Sequence, residues 1–379
     1  MEMSSSLVLR GDSGAPRNHT HEATTGEKAE ISSFSDNDIM QSLGPALIAC
    51  KYDISYATVE RFGASLTKET KLKECLEILT SADEFEQFSI RPGEEELIRS
   101  LFINNQRFSF DNANCRDPHV KANALLQAHF SGQPLSGDLA ADQKQVVLIA
   151  SRLIPAMVDV IFFGGWLWLA NCAMKVSQMV TQGLWDCDSM LLQLPYFTKE
   201  LAQRCEDNPG TSVTSVYDFL EMEEDEWRDL LQMPDAQLFE IAKVCKRIPD
   251  IDLALHIQNS ANIRAEEVIS LHIIIERNLV GRTEVGPVYA PKYPKLKEEG
   301  WWVMVSDAKT NQLLAMKRVC VKRKSEKVKL DFAAPGQTGR KTYALYVICD
   351  SYIGCDLKHY FSVDVKSTGA RKDDDYMKE

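Results

Sequence analysis

The hydrophobic period of the chain changes at Pro249, from about 3.6 residues before it to 2 after it, which restricts the fold to a helical part followed by a β-rich part. After Pro249, Ile251, Leu253, Leu255 and Ile257 alternate with polar or small residues, as do Ile269, Leu271, Ile273 and Ile275. Val328, Leu330 and Phe332 alternate with Lys327, Lys329 and Asp331, and Phe361, Val363 and Val365 with Ser362, Asp364 and Lys366. Adding Trp301 to Ser306, Gln312 to Val319 and Thr342 to Asp350 predicts seven strands, the count of an immunoglobulin-like sandwich. Seven alternating strands can close a core of their own, so residues 250–366 are expected to fold alone.

Before Pro249 the spacing is helical from Asp36 onward. Leu72, Cys75, Leu76 and Leu79 fall on one face, with Thr67 as the expected N-cap. Asp117-Pro118 marks a start, a capping carboxylate with proline at the first helical position. Ala122, Leu125, Leu126 and His129 share a face there, and a histidine on such a stripe reads as a hydrogen-bonded core residue. A longer helix, about 141–163, carries a stripe of Val146, Ala150, Leu153, Ile154, Met157 and Ile161. Gln145, Arg152 and Asp159, seven apart, line another face of it. Gly164-Gly165 breaks it, and a further helix runs to about Gln182. From Leu194 to Pro249 four short helices are expected, punctuated by Pro209-Gly210 and Pro234. The run Glu221, Glu223, Glu224, Asp225 and Glu226 reads as a solvated helix N-terminus. The division is a polar, disordered tail at 1–35, a helical bundle at 36–190, a set of small helices at 191–249, the sandwich at 250–366 and a second disordered tail at 367–379. The fold class is α+β, multidomain.

With 44% hydrophobic residues the chain has ample material for a core, while a net charge of −12 opposes a sequence-independent grip on phosphates. Ten cysteines include no CxxC, so a reducing compartment is expected and no metal site. No signal peptide is recognisable, and the apolar run Val160 to Ala170 is too short to span a bilayer, reading instead as two buried helix ends. No GxxxxGK[ST] loop, GxGxxG turn or GxSxG elbow occurs, so no catalytic residue, cofactor or small-molecule substrate is expected. Asp83-Glu84 and Asp225-Glu226 share letters with a magnesium-binding box, but neither follows an apolar strand. The basic run Lys317-Arg318 and Lys322-Arg323-Lys324 reads as a solvated flank where the sandwich turns between strands.

Several segments, taken in order, resemble one known module. They are Asp117 to Lys121 leading into Leu125 to His129, Gly165-Trp166-Leu167, Gln178 to Gln182, Leu194-Pro195, Glu298 to Trp302, Lys327 to Phe332, Gly354-Cys355-Asp356 and Phe361 to Lys366. The chain from about Ile39 to Lys366 resembles the Sec-sixty-three homology region at the C-terminus of the large spliceosomal Ski-two-like RNA helicase. The resemblance implies a helical bundle, a helix-loop-helix domain at 191–249 and an immunoglobulin/fibronectin-like sandwich. It implies a nuclear, non-enzymatic copy without the helicase lobes, partnered by spliceosomal proteins or a helicase, with no membrane. In the family one bundle helix faces the nucleic-acid strand. Here that helix is about 143–163, with Arg152, and also Lys121, as the implied nucleic-acid contacts. Pro155 inside this helix, with Phe162-Phe163 and Trp168 beside it, departs from the family pattern and is expected to kink it. The implied role is a protein-docking platform linked to pre-mRNA splicing. The alternatives are an auxiliary RNA clamp or a fragment of a full ATP-dependent helicase.

Overall fold

The computed structural model describes residues 36–105, 107–108 and 114–367, so the expectations for tails at 1–35 and beyond 367 lie outside the described residues. Seven helices build the bundle: α1 (Asp36–Tyr52), α2 (Tyr56–Ser65), α3 (Leu72–Thr80), α4 (Glu94–Asn105), α5 (Pro118–Phe130), α6 (Gly137–Phe163) and α7 (Leu167–Gln182). Four short ones follow: α8 (Lys199–Glu206), α9 (Val216–Glu221), α10 (Glu224–Leu231) and α11 (Asp235–Cys245). The sandwich contains β1 (Asp250–Ile257), β2 (Ile263–Arg264), β3 (Val268–Asn278), β4 (Trp301–Asp307), β5 (Leu313–Val319), β6 (Ser325–Ala333), β7 (Gly339–Cys349) and β8 (Leu357–Lys366).

Local chemistry explains most boundaries. The Asp117 carboxylate accepts from the His119 amide at 2.8 Å, so the expected cap of α5 is in place. Thr67, by contrast, does not cap α3. Its amide donates to the Thr70 hydroxyl at 2.9 Å, and the helix begins after Lys71, whose amide donates to the Glu74 carboxylate at 2.9 Å. The helix expected from Asp36 is broken at Gly44, whose φ of 58° and ψ of −146° turn the chain before Pro45. Buried residues occupy every position of α5 from Lys121 to Phe130, not one face, because α3, α4, α6 and α7 all pack around it.

Eight strands are described rather than seven. The additional one, β2, has two residues and pairs parallel to β8, too short for any alternation to reveal. The strands form one sheet in the order β1-β3-β6 and another in the order β2-β8-β7-β4-β5. Ile269, Leu271, Ile273 and Ile275 of β3 share a core with Val303 and Val305 of β4 and with Leu345 and Val347 of β7.

That core does not stop at Pro249. It continues through Phe219, Trp227, Leu231, Ile241 and Cys245, so the small helices and the sandwich bury apolar surface together. The bundle core likewise reaches Trp302, Met304, Leu313, Met316 and Ile348 of the sandwich. Strand β4 is therefore buried on both faces, with Trp301, Val303 and Val305 turned into the sandwich and Trp302 and Met304 against the bundle. This is why its sequence, WWVMV, is apolar without alternation.

Candidate nucleic-acid face and the joint behind it

Helix α6 positions Arg152, one of the two residues to which the resemblance assigns nucleic acid. Its expected stripe is buried: Val146, Ala150, Leu153, Ile154, Met157 and Ile161 are each at most 1% exposed. Lys144, Gln145 and Arg152 are exposed on the other side. The Arg152 guanidinium lies 3.7 Å from the carboxylate of Asp53, at the end of α1. Asp159 does not share this exposed face, because α1 covers the second half of α6. Its carboxylate is buried and takes hydrogen bonds from Lys51 and Tyr52, each at 2.8 Å. Burial and then the adjacent Asp159 charge raise the Tyr52 phenol far above its usual range.

Pro155 does not interrupt the helix: α6 runs unbroken from Gly137 to Phe163 with Pro155 buried inside it. The expected kink therefore does not break the helix, although the proline still denies the Ser151 carbonyl an amide donor.

Lys121 stands apart from Arg152, on α5 and with no exposure at all. Its ammonium lies 2.7 Å from Glu94 and 2.8 Å from Asp142, and Arg91 reaches the same two carboxylates at 2.6 Å each. Burial works to raise both acids, but hydrogen bonds from Arg91 and Lys121 outweigh it and hold both below the usual carboxylate range. Two cations and two carboxylates thus neutralise one another between α4, α5 and α6. The structure does not bring Lys121 and Arg152 onto one surface.

Three of the motifs that carry the resemblance, Gln178 to Gln182, Glu298 to Trp302 and Gly354 to Asp356, meet at the joint between bundle and sandwich. Gln178 donates to the Cys349 carbonyl at 2.9 Å and to the Asp356 carboxylate at 3.0 Å. Gln182 donates to the Ser351 carbonyl at 2.7 Å, and Ser177 to the Asp350 carbonyl at 2.9 Å. The Asp350 carboxylate accepts from the Gly300 amide at 3.0 Å, and from Lys297 and Arg318 at 3.2 and 2.7 Å. Beside it, buried Glu299 pairs with Arg277 and accepts from the Trp301 indole at 2.7 Å. Burial pushes the Asp356 carboxyl up to about 6 against the pull of Gln178. Helix α7 ends at Gly183, whose φ of 62° closes it in the left-handed region. The Gln178 to Gln182 and Gly354 to Asp356 signatures therefore hold two layers together, and Arg318, exposed like Lys317, Lys322, Arg323 and Lys324, also reaches the joint through Asp350.

The other candidates resolve similarly. His129 is buried, with Nε2 2.9 Å from the Val180 carbonyl, and burial pushes its imidazole down to about 4. Asp83 and Glu84 hold α2: Arg61 and the Ser55 hydroxyl reach Asp83, and Thr58 and the Ser55 amide reach Glu84, all within 2.8 Å. Among the described residues no group of three or more His, Cys, Asp or Glu is placed to hold a metal ion. The run Val160 to Ala170 comprises two helix ends that are only partly buried: Leu167, Leu169 and Ala170 are covered, whereas Phe163 and Trp168 are exposed. One described helix, α6, is long and apolar enough to cross a membrane, but 61% of its most apolar window is buried within the protein. Sequence reasoning missed Asp350 and Glu94. The available signal for Asp350 was a lone carboxylate closing the apolar run of β7, where a charge must find donors.

Comparison with known proteins agrees with this geometry. Residues 42–362 match the family model described as the Sec63 Brl domain. The chain is 56% identical over 344 residues to the DExH-box ATP-dependent RNA helicase DExH12 of Arabidopsis thaliana, covering 91% of this chain and 16% of the relative. It is 42% identical over 349 residues to the human U5 small nuclear ribonucleoprotein 200 kDa helicase, covering 92% of this chain and again 16% of the relative. The activating signal cointegrator 1 complex subunit 3-like protein of Dictyostelium discoideum is 35% identical over 333 residues. The chain thus spans about one sixth of the length of the curated relatives it matches.

Proposed function

Since this chain belongs to the Sec63 Brl domain family, we propose that it is a non-catalytic protein-docking platform in the nucleus, linked to pre-mRNA splicing. One observation carries the choice of docking over strand-holding: Lys121 is buried between Glu94 and Asp142, and Arg152 faces Asp53. Lys121 is closed off from phosphate between two carboxylates, Arg152 has an exposed carboxylate beside it, and the chain as a whole is acidic. The hydrogen-bonded, apolar joint between bundle and sandwich supports the same reading, since a platform needs its two parts held together.

The test pairs two measurements. Tagged protein expressed in nuclei is expected to co-purify with U5 small nuclear ribonucleoprotein proteins after nuclease treatment, and purified protein to show no RNA-stimulated ATP hydrolysis. Association that vanishes with nuclease, or an ATPase rate abolished by altering a residue of this chain, overturns the reading. The exposed strip Lys144, Gln145 and Arg152 favours the RNA-clamp alternative. On the docking reading, single-stranded RNA binds weakly with a shallow salt slope. Tight binding at physiological salt, lost in Arg152→Ala, would establish the clamp instead.

A further inference from the structure

We infer that Arg247, Arg277 and Arg282, gathered at the end of α11, form a phosphate-monoester site that receives a phosphorylated serine or threonine side chain of a partner protein. The inference rests on the docking reading and adds the chemistry by which a partner is held.

The three guanidiniums come from separate parts of the chain. Arg247 follows α11, Arg277 lies on β3, and Arg282 ends the turn after β3. Arg277 Nη2 donates to the Arg247 carbonyl at 3.1 Å, and Arg282 Nη2 donates to the Lys246 carbonyl, so the two meet neighbouring peptides. Arg247 Nη2 donates in turn to the Pro287 carbonyl. Arg277 is buried, whereas Arg247 and Arg282 are half-buried and reach the surface.

Helix capping does not account for three cations. A helix C-terminus carries about half a negative charge, which one guanidinium already offsets. Of the three, Arg277 alone has a carboxylate within ion-pair distance among the described residues, the buried Glu299. Setting Glu299 and the helix end against three guanidiniums leaves an excess of about 1.5 positive charges. Burial, and after it the Arg277 charge, lower the Arg282 guanidinium below its usual range. Donors are in excess too, since Arg277 Nε is buried with no partner. An oxyanion set on these guanidiniums offsets the crowding and supplies acceptors. The turn carrying Arg282 bears a further local cost of the kind found at binding sites: Val280 has a φ of 44°, which β-branched residues avoid. The Arg282 amide closes this turn on the Leu279 carbonyl at 3.0 Å, and Arg282 Nε reaches the same carbonyl at 3.1 Å.

The size of the excess selects the anion. A phosphorylated serine or threonine carries about 1.5 to 2 negative charges at neutral pH, on oxygens that match guanidinium forks. A nucleic-acid strand brings one charge per phosphate, with further phosphates on either side. Those flanking phosphates would meet Asp250, hydrogen-bonded at 3.2 Å to Asn278 beside Arg277, and Glu284, two residues past Arg282.

The test follows the melting temperature of the full chain with inorganic phosphate, O-phosphoserine, chloride or a single-stranded oligouridylate, at constant ionic strength. Phosphate and O-phosphoserine are expected to raise it saturably, and chloride to leave it unchanged. Arg247→Gln and Arg282→Gln are each expected to weaken the apparent affinity for O-phosphoserine at least tenfold. Without ligand, Arg282→Gln should melt no lower than the unaltered protein, because it removes a repulsion, whereas a capping role alone would lower it. Lys68→Gln, an exposed cation of the bundle, should respond like the unaltered protein. An equal response to chloride, a response retained in both arginine variants, or one lost equally in Lys68→Gln would overturn the inference. So would a response to inorganic phosphate without one to O-phosphoserine, which marks a free-phosphate site. An oligouridylate response that needs Arg282, with none to O-phosphoserine, would assign the cluster to RNA instead. Should the chain capture U5 proteins while O-phosphoserine changes nothing, the site is wrong and the docking reading stands. Should O-phosphoserine bind through Arg282 while no U5 protein is captured, the docking reading fails and the site stands.

Discussion

Removing the Lys121 ammonium would leave Glu94 and Asp142 sharing only Arg91, which lies at the edge of the network and is partly exposed. Lys121→Met is therefore expected to cost about 3 kcal/mol, the usual penalty for stranding a buried partner. It should leave the salt dependence of any RNA binding untouched. A changed salt slope with an unchanged melting temperature would return Lys121 to the phosphate-contact role. Two other buried groups give opposed pH effects. Folded His129 titrates near 4 and the free imidazole near 6.5, so acidification from 6.5 to 4 loads protons onto the unfolded chain and lowers stability. Folded Asp356 titrates near 6 and a free aspartate near 3.8, so acidification from 6 to 3.8 loads protons onto the folded chain and raises stability. Melting temperatures measured between pH 7 and 4 should fall less steeply in His129→Gln than in the unaltered protein. In Asp356→Asn they should fall more steeply. Parallel curves for all three proteins would show that neither group carries the effect.

Helix α6 illustrates how a locally unfavourable residue is tolerated. Proline in a helix interior costs up to about 3 kcal/mol, yet α6 remains continuous because its apolar stripe is buried on both sides of Pro155. Pro155→Ala is expected to raise stability by about 1–3 kcal/mol, since the alanine amide can bond the Ser151 carbonyl. Pro155→Gln is not expected to match it. The site is buried, so the glutamine amide would lose its hydration without an arranged partner. Equal gains from both variants, read by thermal melting, would mean the site is open to water.

Across the molecule, the shared cores determine which pieces can stand alone. The fragment 191–366 retains the core that joins Phe219, Trp227 and Ile241 to the two sheets, whereas 250–366 loses its helical side. The longer fragment is expected to melt cooperatively and at a higher temperature than the shorter one. Both should bind an apolar dye that the full chain does not, because Trp302, Met304 and Ile348 lose the bundle that covers them. If 250–366 melts as high as 191–366, the small helices contribute nothing to the sandwich.

The order of helices and strands was legible in the residues, because period and caps depend on neighbours a few positions apart. The α6 stripe, the Asp117 cap, the alternation of β3 and the core placement of His129 could all be read that way. Thr67 misled because a threonine four residues early satisfies the same local rule that Lys71 and Glu74 satisfy in the fold. The fate of the charged residues was not legible. Lys121 meets Glu94 across 27 residues, and Asp159 meets Lys51 across 108. A lysine in a helical pattern carries no local mark of whether a carboxylate or water will face it. The same holds for Gln178 and Asp356, which lie 178 residues apart in sequence and 3.0 Å apart at the joint. Their pairing follows from how the bundle and the sandwich are stacked, since a buried polar group takes whichever partner the packed chain brings within reach.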